Sequence, residues 1–166
     1  MMPQNDAEFS PRALAALERL REGNARFVQH ETTLKITDTD RRNAVDGQNP
    51  VAVVLGCSDS RVPTEVVFDQ GVGELFVIRV AGNVVSPEIM GTLQYAGVHL
   101  RTPLFVVLGH ESCSAINAAL AAKHGGQEPA RIAMLLDNIL PGLRDLPPDL
   151  TPDAEVRAAV EANVRW

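Results

Sequence analysis

The segment Val51-Ala52-Val53-Val54-Leu55-Gly56-Cys57 decides the fold class. It is a short, continuous apolar run with three β-branched valines, too brief for a buried helix and apolar at odd and even positions alike. That pattern predicts a strand covered on both faces, as in a parallel sheet. Its near copy, Val106-Val107-Leu108-Gly109-His110, ends a second run, Leu104 to Gly109 (LFVVLG), and Glu74 to Arg79 (ELFVIR) is a third of the same character. The segments between these runs read as helices. Thr64 to Asp69 follows Pro63, Ser86-Pro87-Glu88 opens a helix reaching about Val98, and Cys113 to Lys123 is Ala-rich and ends at Gly125-Gly126. Strand and helix alternate, so the expected class is α/β with a mainly parallel sheet and right-handed crossovers.

Outside this alternation, Ser10-Pro11-Arg12 reads as an N-cap followed by Pro at the first helical position. Ala13, Leu14, Leu17 and Leu20 then continue at helical spacing to about Phe27. Residues 30–50 are polar and end in the turn cluster Asp46-Gly47-Gln48-Asn49-Pro50. A further helix is expected from Arg131 to Leu140, then a rigid loop with Pro141, Pro147, Pro148 and Pro152, then a last helix from about Asp153 to Trp166. The 166 residues, 45% hydrophobic and 22% charged, fit one globular domain, 1–166. Within it 1–30 forms an N-terminal helical arm, 51–123 a metal-site core and 153–166 a C-terminal helix. Fifteen Lys and Arg against 21 Asp and Glu leave a net charge of −6, which gives no attraction for phosphate backbones or anionic lipid. Nucleic acid and membrane are therefore not expected partners. No apolar run approaches the ~20 residues needed to span a bilayer, and the start MMPQNDAEFS lacks a basic or apolar leader region, so a cytoplasmic protein is expected.

Only two cysteines occur, Cys57 and Cys113, too few for a disulfide framework. Cys57 and His110 each directly follow an apolar strand, and sites in open α/β sheets form at the carboxyl ends of strands. If the two strands are neighbours, both side chains emerge at one edge. Cys113 stands three residues after His110 at a helix start, within reach of a His-x-x-Cys chelate. Two thiolates, one imidazole and an open fourth position describe a catalytic zinc site, and soft thiolates favour zinc over magnesium or calcium. Burial as a small hydrophobe explains one cysteine alone, but not two with a histidine at matched strand ends. In Cys57-Ser58-Asp59-Ser60-Arg61 a carboxylate follows the first ligand by two residues and a guanidinium follows the carboxylate by two. A bidentate Arg61 would keep Asp59 ionised, with an oxygen free to accept the proton of a metal-bound water. Asp59 could instead fill the fourth metal position, or the pair could be a solvated turn ion pair of under ~1 kcal/mol.

These residues resemble the signature of the β-class carbonic anhydrases, zinc enzymes that interconvert carbon dioxide and bicarbonate. The resemblance runs from LREGNARFV (20–28) through GCSDSRVP, FDQGVGELFVIRVAGN (68–83), LQYA (93–96) and VVLGHESC (106–113) to the Ala-rich helix, about two-thirds of the chain. It implies an α/β fold with a mainly parallel sheet of about four strands flanked by helices. It also implies Cys57, His110 and Cys113 as Zn2+ ligands, and Asp59 with Arg61 as a catalytic dyad assisting zinc-bound hydroxide. Gln48 becomes an amide near the hydroxide, and Phe76, Ala81 and Tyr95 the apolar wall of the substrate pocket, which in the family lies at a dimer interface. A homodimer or higher even homo-oligomer is the implied assembly. His30, His99 and His124 receive no proton-shuttle role.

The sequence departs from the family in three places. Ser114 stands where Gly is usual after the second thiolate. Val54 stands where bicarbonate-regulated members carry Trp, so the resemblance is to the branch lacking that non-catalytic site. Family members continue beyond the helix at 153–166 into a final strand and helix, so the chain reads as truncated with its last edge strand missing. Two other functions compete with reversible carbon dioxide hydration. The first is an impaired paralogue or a zinc- or bicarbonate-binding sensor; the second is a thiol redox protein, disfavoured because no Cys-x-x-Cys pair is present. Retention of Asp59, Arg61 and Gln48 beside the ligands favours the enzyme.

Overall fold

The computed structural model describes residues 9–166. Among them are seven α-helices: α1 (Pro11–Val28), α2 (Asp38–Asn43), α3 (Thr64–Val67), α4 (Pro87–Val98), α5 (Ser114–Lys123), α6 (Ala130–Leu136) and α7 (Pro152–Arg165). Three strands, β1 (Ala52–Gly56), β2 (Leu75–Arg79) and β3 (Phe105–Leu108), form one parallel sheet in the order β2-β1-β3. The α/β class and the three apolar runs are as expected. The sheet has three strands among the described residues rather than about four, since every other segment with enough apolar residues is helical.

β1 lies between the other two and is buried along its whole length, which is why its sequence is apolar at every position. β3 differs from the expectation of burial on both faces: Phe105 is 46% exposed and Val107 42%. The exposed positions alternate, so one face of β3 is left uncovered while the other is partly buried.

The chain divides into two compact units, and the strands begin in the first and end in the second. The first comprises 9–54, 63–78 and 91–106. Here Ser10 caps α1 by accepting from the Ala13 N–H, and Ala13, Ala16 and Leu20 form its buried stripe. Gly23 is required by close approach, because a Cβ there would run into the Phe68 carbonyl. The neighbouring Asn24 Nδ2 donates to Val67 O at 3.1 Å, joining α1 to α3. Beyond α3, Asp69 is buried and takes four hydrogen bonds. Arg26 Nε donates at 2.6 Å, Thr33 N and Oγ1 each at 2.9 Å, and Leu34 N at 2.8 Å. One carboxylate thus fixes the end of α1, the chain after it and the end of α3. The expected polar stretch at 30–50 contains α2, which has no buried residue and so no apolar periodicity to reveal it. Its signal is a capping box, with Thr37 and Asp40 bonding each other's backbone N–H.

The second unit comprises 55–62, 79–90 and 107–166. Its core gathers Val84, Ile116, Ala119, Leu120, Leu136, Ile139, Leu143 and Ala159 around Cys57 and Cys113. α7 begins at the Thr151 cap and packs against α5. It also backs directly onto Gly109, where a Cβ would meet Val160 and Val164. The helix expected to reach Leu140 stops at Leu136, and a 3-10 turn at Leu140–Leu143 replaces the start of the expected proline loop. The missing N–H of Pro141 cannot continue an α-helix there.

The Asp69 cluster makes stability depend on acid in a predictable direction. The Arg26 guanidinium, with Thr33 and Leu34, lowers its pKa from 3.8 to about 2 despite burial. The folded value lies below the unfolded one, so this contribution is fully present above about pH 4 and drains away as pH falls towards 2. Asp69→Asn is expected to lower the denaturation midpoint at neutral pH. The gap between wild type and variant should close between pH 4 and 2; a gap constant across that window would contradict the assignment.

Candidate metal centre

β1 and β3 are adjacent, so Cys57 and His110 emerge at the same sheet edge, and the turn after His110 delivers Cys113 to the start of α5. All three belong to the second unit. One donor atom from each lies within 4.8 Å of the others. The two sulfurs are 3.9 Å apart, close to the about 3.8 Å expected for two thiolates at ~2.3 Å from a tetrahedral zinc. Cys57 is 6% exposed and Cys113 2%, and the His110 side chain is 8% exposed.

The imidazole tautomer follows from its surroundings. His110 Nδ1 lies 3.0 Å from the Glu111 carbonyl, which can only accept, so Nδ1 carries the proton. Nε2 is left with a lone pair and has no hydrogen-bond partner although it is buried. A buried orphan nitrogen beside two buried thiols is costly unless a cation satisfies it, and a histidine whose second nitrogen donates to a carbonyl is the usual form of a metal ligand. The residues therefore fit a zinc ion. Burial pushes the Cys113 thiol up from its ordinary range, and the neighbouring Cys57 adds to that, against opposing N–H donation from Ile116 and Ala115. A bound divalent cation reverses this balance and favours the thiolate.

Several groups hold the first ligand loop. Val80 N donates to Gly56 O at 3.1 Å, and Arg79 Nε donates to the Cys57 carbonyl at 3.0 Å while its Nη2 reaches the Asp59 carbonyl. The Gly82 N–H donates to Cys57 Sγ at 3.3 Å. Gly82 lies in a 3-10 turn, Ala81–Asn83, at φ +66, a backbone region that glycine enters without penalty. Ser112, at φ +53, offers its carbonyl to Arg61. Arg79, Gly82 and Ser112 carried no assignment from sequence, since their contributions are backbone groups or contacts to backbone.

Asp59 and Arg61 form a bidentate pair. Arg61 Nε donates to Oδ1 at 2.9 Å and Nη2 to Oδ2 at 2.7 Å, and the Arg61 backbone N–H also reaches Oδ1 at 2.9 Å. Arg61 Nη2 further donates to Ser112 O at 3.1 Å. The Arg61 guanidinium, then its backbone N–H, hold the Asp59 carboxyl well below the usual carboxylate range. Asp59 Oδ2 stands 3.9 Å from His110 Nε2, too far for a hydrogen bond.

The remaining candidates are dispersed. Phe76 and Tyr95 lie in the first unit with ring centroids 6.4 Å apart, Tyr95 half-exposed. Gln48, in the same unit, lines a polar recess with Asp40, Asn43, Val72 and Glu74. Ala81 belongs to the second unit, in the turn beside Cys57. Ser114 occupies the first helical position of α5, exposed, while Cys113 is the capping residue. A cleft of about 610 Å³ opens between His110, Asn117 and Arg157, but none of Cys57, Cys113, Asp59 and Arg61 lines it.

Comparison with known proteins agrees with this geometry. The family model for carbonic anhydrase matches residues 52–166. Carbonic anhydrase 2 of Mycobacterium tuberculosis is 44% identical over 138 residues, covering 80% of this chain and 67% of the relative. A carbonic anhydrase of Mycolicibacterium smegmatis is 45% identical over 118 residues, 70% of this chain and 57% of the relative. Among solved structures, the β-carbonic anhydrase CcaA superposes with a TM-score of 0.69 at 26% identity, covering 91% of this chain and 71% of that one. The Coccomyxa β-carbonic anhydrase in complex with acetazolamide gives 0.66 at 27% identity, over 89% and 67%. With its sheet, its Cys-His-Cys cluster and its relatives in agreement, the chain belongs to the carbonic anhydrase family, in the β class.

Proposed function

We propose that this protein hydrates carbon dioxide reversibly to bicarbonate and a proton, with Zn2+ held by Cys57, His110 and Cys113 and with Asp59 and Arg61 as its catalytic pair. The observation that carries the reading is the cluster of three buried donor atoms within 4.8 Å, one of them an imidazole nitrogen with no hydrogen-bond partner. Zinc with three protein ligands keeps one position for water and lowers the pKa of that water towards neutrality, supplying a nucleophile at physiological pH.

The chain's own residues handle orientation and the proton. Arg61 occupies Oδ1 of Asp59 twice and Oδ2 once, which leaves Oδ2, 3.9 Å from His110 Nε2, the less occupied oxygen. Held ionised by Arg61, Asp59 is an acceptor at any pH at which the protein works. It is suited to accept a hydrogen bond from a water beside His110 and align it, while a carboxylate held this far below its usual range does not keep the proton, which passes on to solvent. Arg61 is itself steadied by Ser112 O, which ties the fork to the loop that carries His110.

Gln48, Phe76, Ala81 and Tyr95 are proposed as the surroundings of the substrate: an amide for a polar oxygen and apolar walls for a small apolar molecule. The assembly proposed is a homodimer or a higher even homo-oligomer. Tyr95 at 50%, Val98 at 62% and Phe105 at 46% exposure leave one part of the first unit with large uncovered apolar side chains, which supports association. No helix among the described residues is long and apolar enough to cross a membrane. A cytoplasmic location is proposed, where two neighbouring thiols stay reduced.

Three outcomes test these readings. Zinc-loaded protein should carry close to one metal per chain and accelerate carbon dioxide hydration in stopped flow, while Cys57→Ala loses metal and rate together. One zinc per chain with no rate above that control would make this a binding module instead. Asp59→Asn keeps the shape but not the charge, and kcat/KM is expected to fall on the order of 10²-fold with zinc content unchanged. Zinc loss in parallel with the rate would make Asp59 a ligand. Sedimentation of the wild type should show an even oligomer; a monomer at working concentration removes the support for Phe76 and Tyr95 as substrate contacts.

A further inference from the structure

Asn163 lies on α7, remote in sequence from every ligand, and is 8% exposed. Its Nδ2 donates to the Gly82 carbonyl at 2.8 Å. The N–H of the same glycine donates to Cys57 Sγ at 3.3 Å. One residue thus separates a helix side chain from a metal-ligating sulfur, and that residue is the glycine at φ +66. A glycine has two soft dihedrals and no side chain to pack, so nothing of its own fixes the direction of its N–H. Its surroundings do so on two sides. A Cβ at Gly82 would meet Ile139 Cδ1 at 2.8 Å and Ala115 Cβ at 3.1 Å, and Asn163 pins the carbonyl. Packing of α7 does not by itself call for an amide here, since Ala159 is fully buried and Val160 and Val164 already close on Gly109.

We propose that Asn163 is a positioning residue for the metal ligand Cys57, acting through the Gly82 peptide. By fixing that peptide it keeps an N–H donor on the sulfur. The donor draws charge from the sulfur and reduces its electron donation to a bound ion. Two thiolates donate more charge than two histidines would and oppose acidification of bound water, so a donor on one of them works in the direction the reaction needs. The inference rests on the Cys57-His110-Cys113 metal reading.

Cobalt(II) substituted into the full chain supplies a readout that a merely structural role would not move, the sulfur-to-cobalt charge-transfer band. The wild type should show the band; its absence overturns the metal reading itself. In Asn163→Leu the band is expected at lower energy, because the sulfur has lost its donor, and cobalt affinity should fall about tenfold. Ala158→Gly, which loosens the same helix outside the core that holds Cys57 and Cys113, should leave the band in place. A wild-type band at unchanged energy in Asn163→Leu overturns the positioning role while leaving the metal site standing. So does an equal shift in Ala158→Gly. If Asn163→Leu does not fold, Asn163→Ser removes the reach of the amide with no added volume and is read in the same way. In the unmutated protein loaded with NMR-active cadmium, a coupling between the metal and the Gly82 amide proton should be seen. No such coupling means that the N–H does not donate to the ligand and overturns the proposal.

Discussion

Two thiols and an unpartnered imidazole nitrogen, buried at the ends of adjacent parallel strands, are the constraint around which the second unit is organised. The imidazole nitrogen has no hydrogen-bond partner and the thiols are met only by backbone N–H groups, so a bound cation would offset the desolvation of all three. The hydrophobic core is continuous with the site, since Cys57 and Cys113 pack among Ile116, Leu120, Ile139 and Ala159. Core packing therefore restrains the ligand geometry directly.

Around the donors the polar groups are arranged in order of distance. Gly82 N–H and the Glu111 carbonyl touch the ligands, Arg79 and Asn163 hold the backbone that presents them, and Arg61 and Asp59 face the open side. Both partners that touch the ligands are backbone atoms. That choice gives rigidity, because a peptide within a packed turn has fewer alternatives than a side chain.

Much of this was legible in the sequence, for physical reasons that differ by element. β1 announced itself because complete burial demands an apolar residue at every position, and the ligands did so because Cys and His at matched strand ends have few other uses. The Asp59–Arg61 fork was legible because its two members are neighbours. α2 was not, since a short exposed helix stabilised by its cap leaves no periodic trace. β3 was read as fully covered because sequence reports residue type and not which face of a strand the rest of the chain covers. Arg79, Gly82, Ser112 and Asn163 stayed hidden because they work through main-chain groups, whose positions only the folded chain defines. The scattered candidates Gln48, Phe76, Ala81 and Tyr95 came from resemblance alone, and no local pattern ties them to the ligands.

Cys57 and Cys113 stand 56 residues apart, yet their sulfurs are 3.9 Å from each other. An ion bonded to both acts on the chain as a cross-link closing a long loop, and the configurational freedom it denies an unfolded chain grows with the logarithm of loop length. Loss of the metal would then restore to the denatured ensemble the entropy of everything between the two sulfurs, including β2, α4 and β3. The stability of the loaded protein is in that sense a polymer property as much as a coordination one, and it reaches segments that touch no ligand.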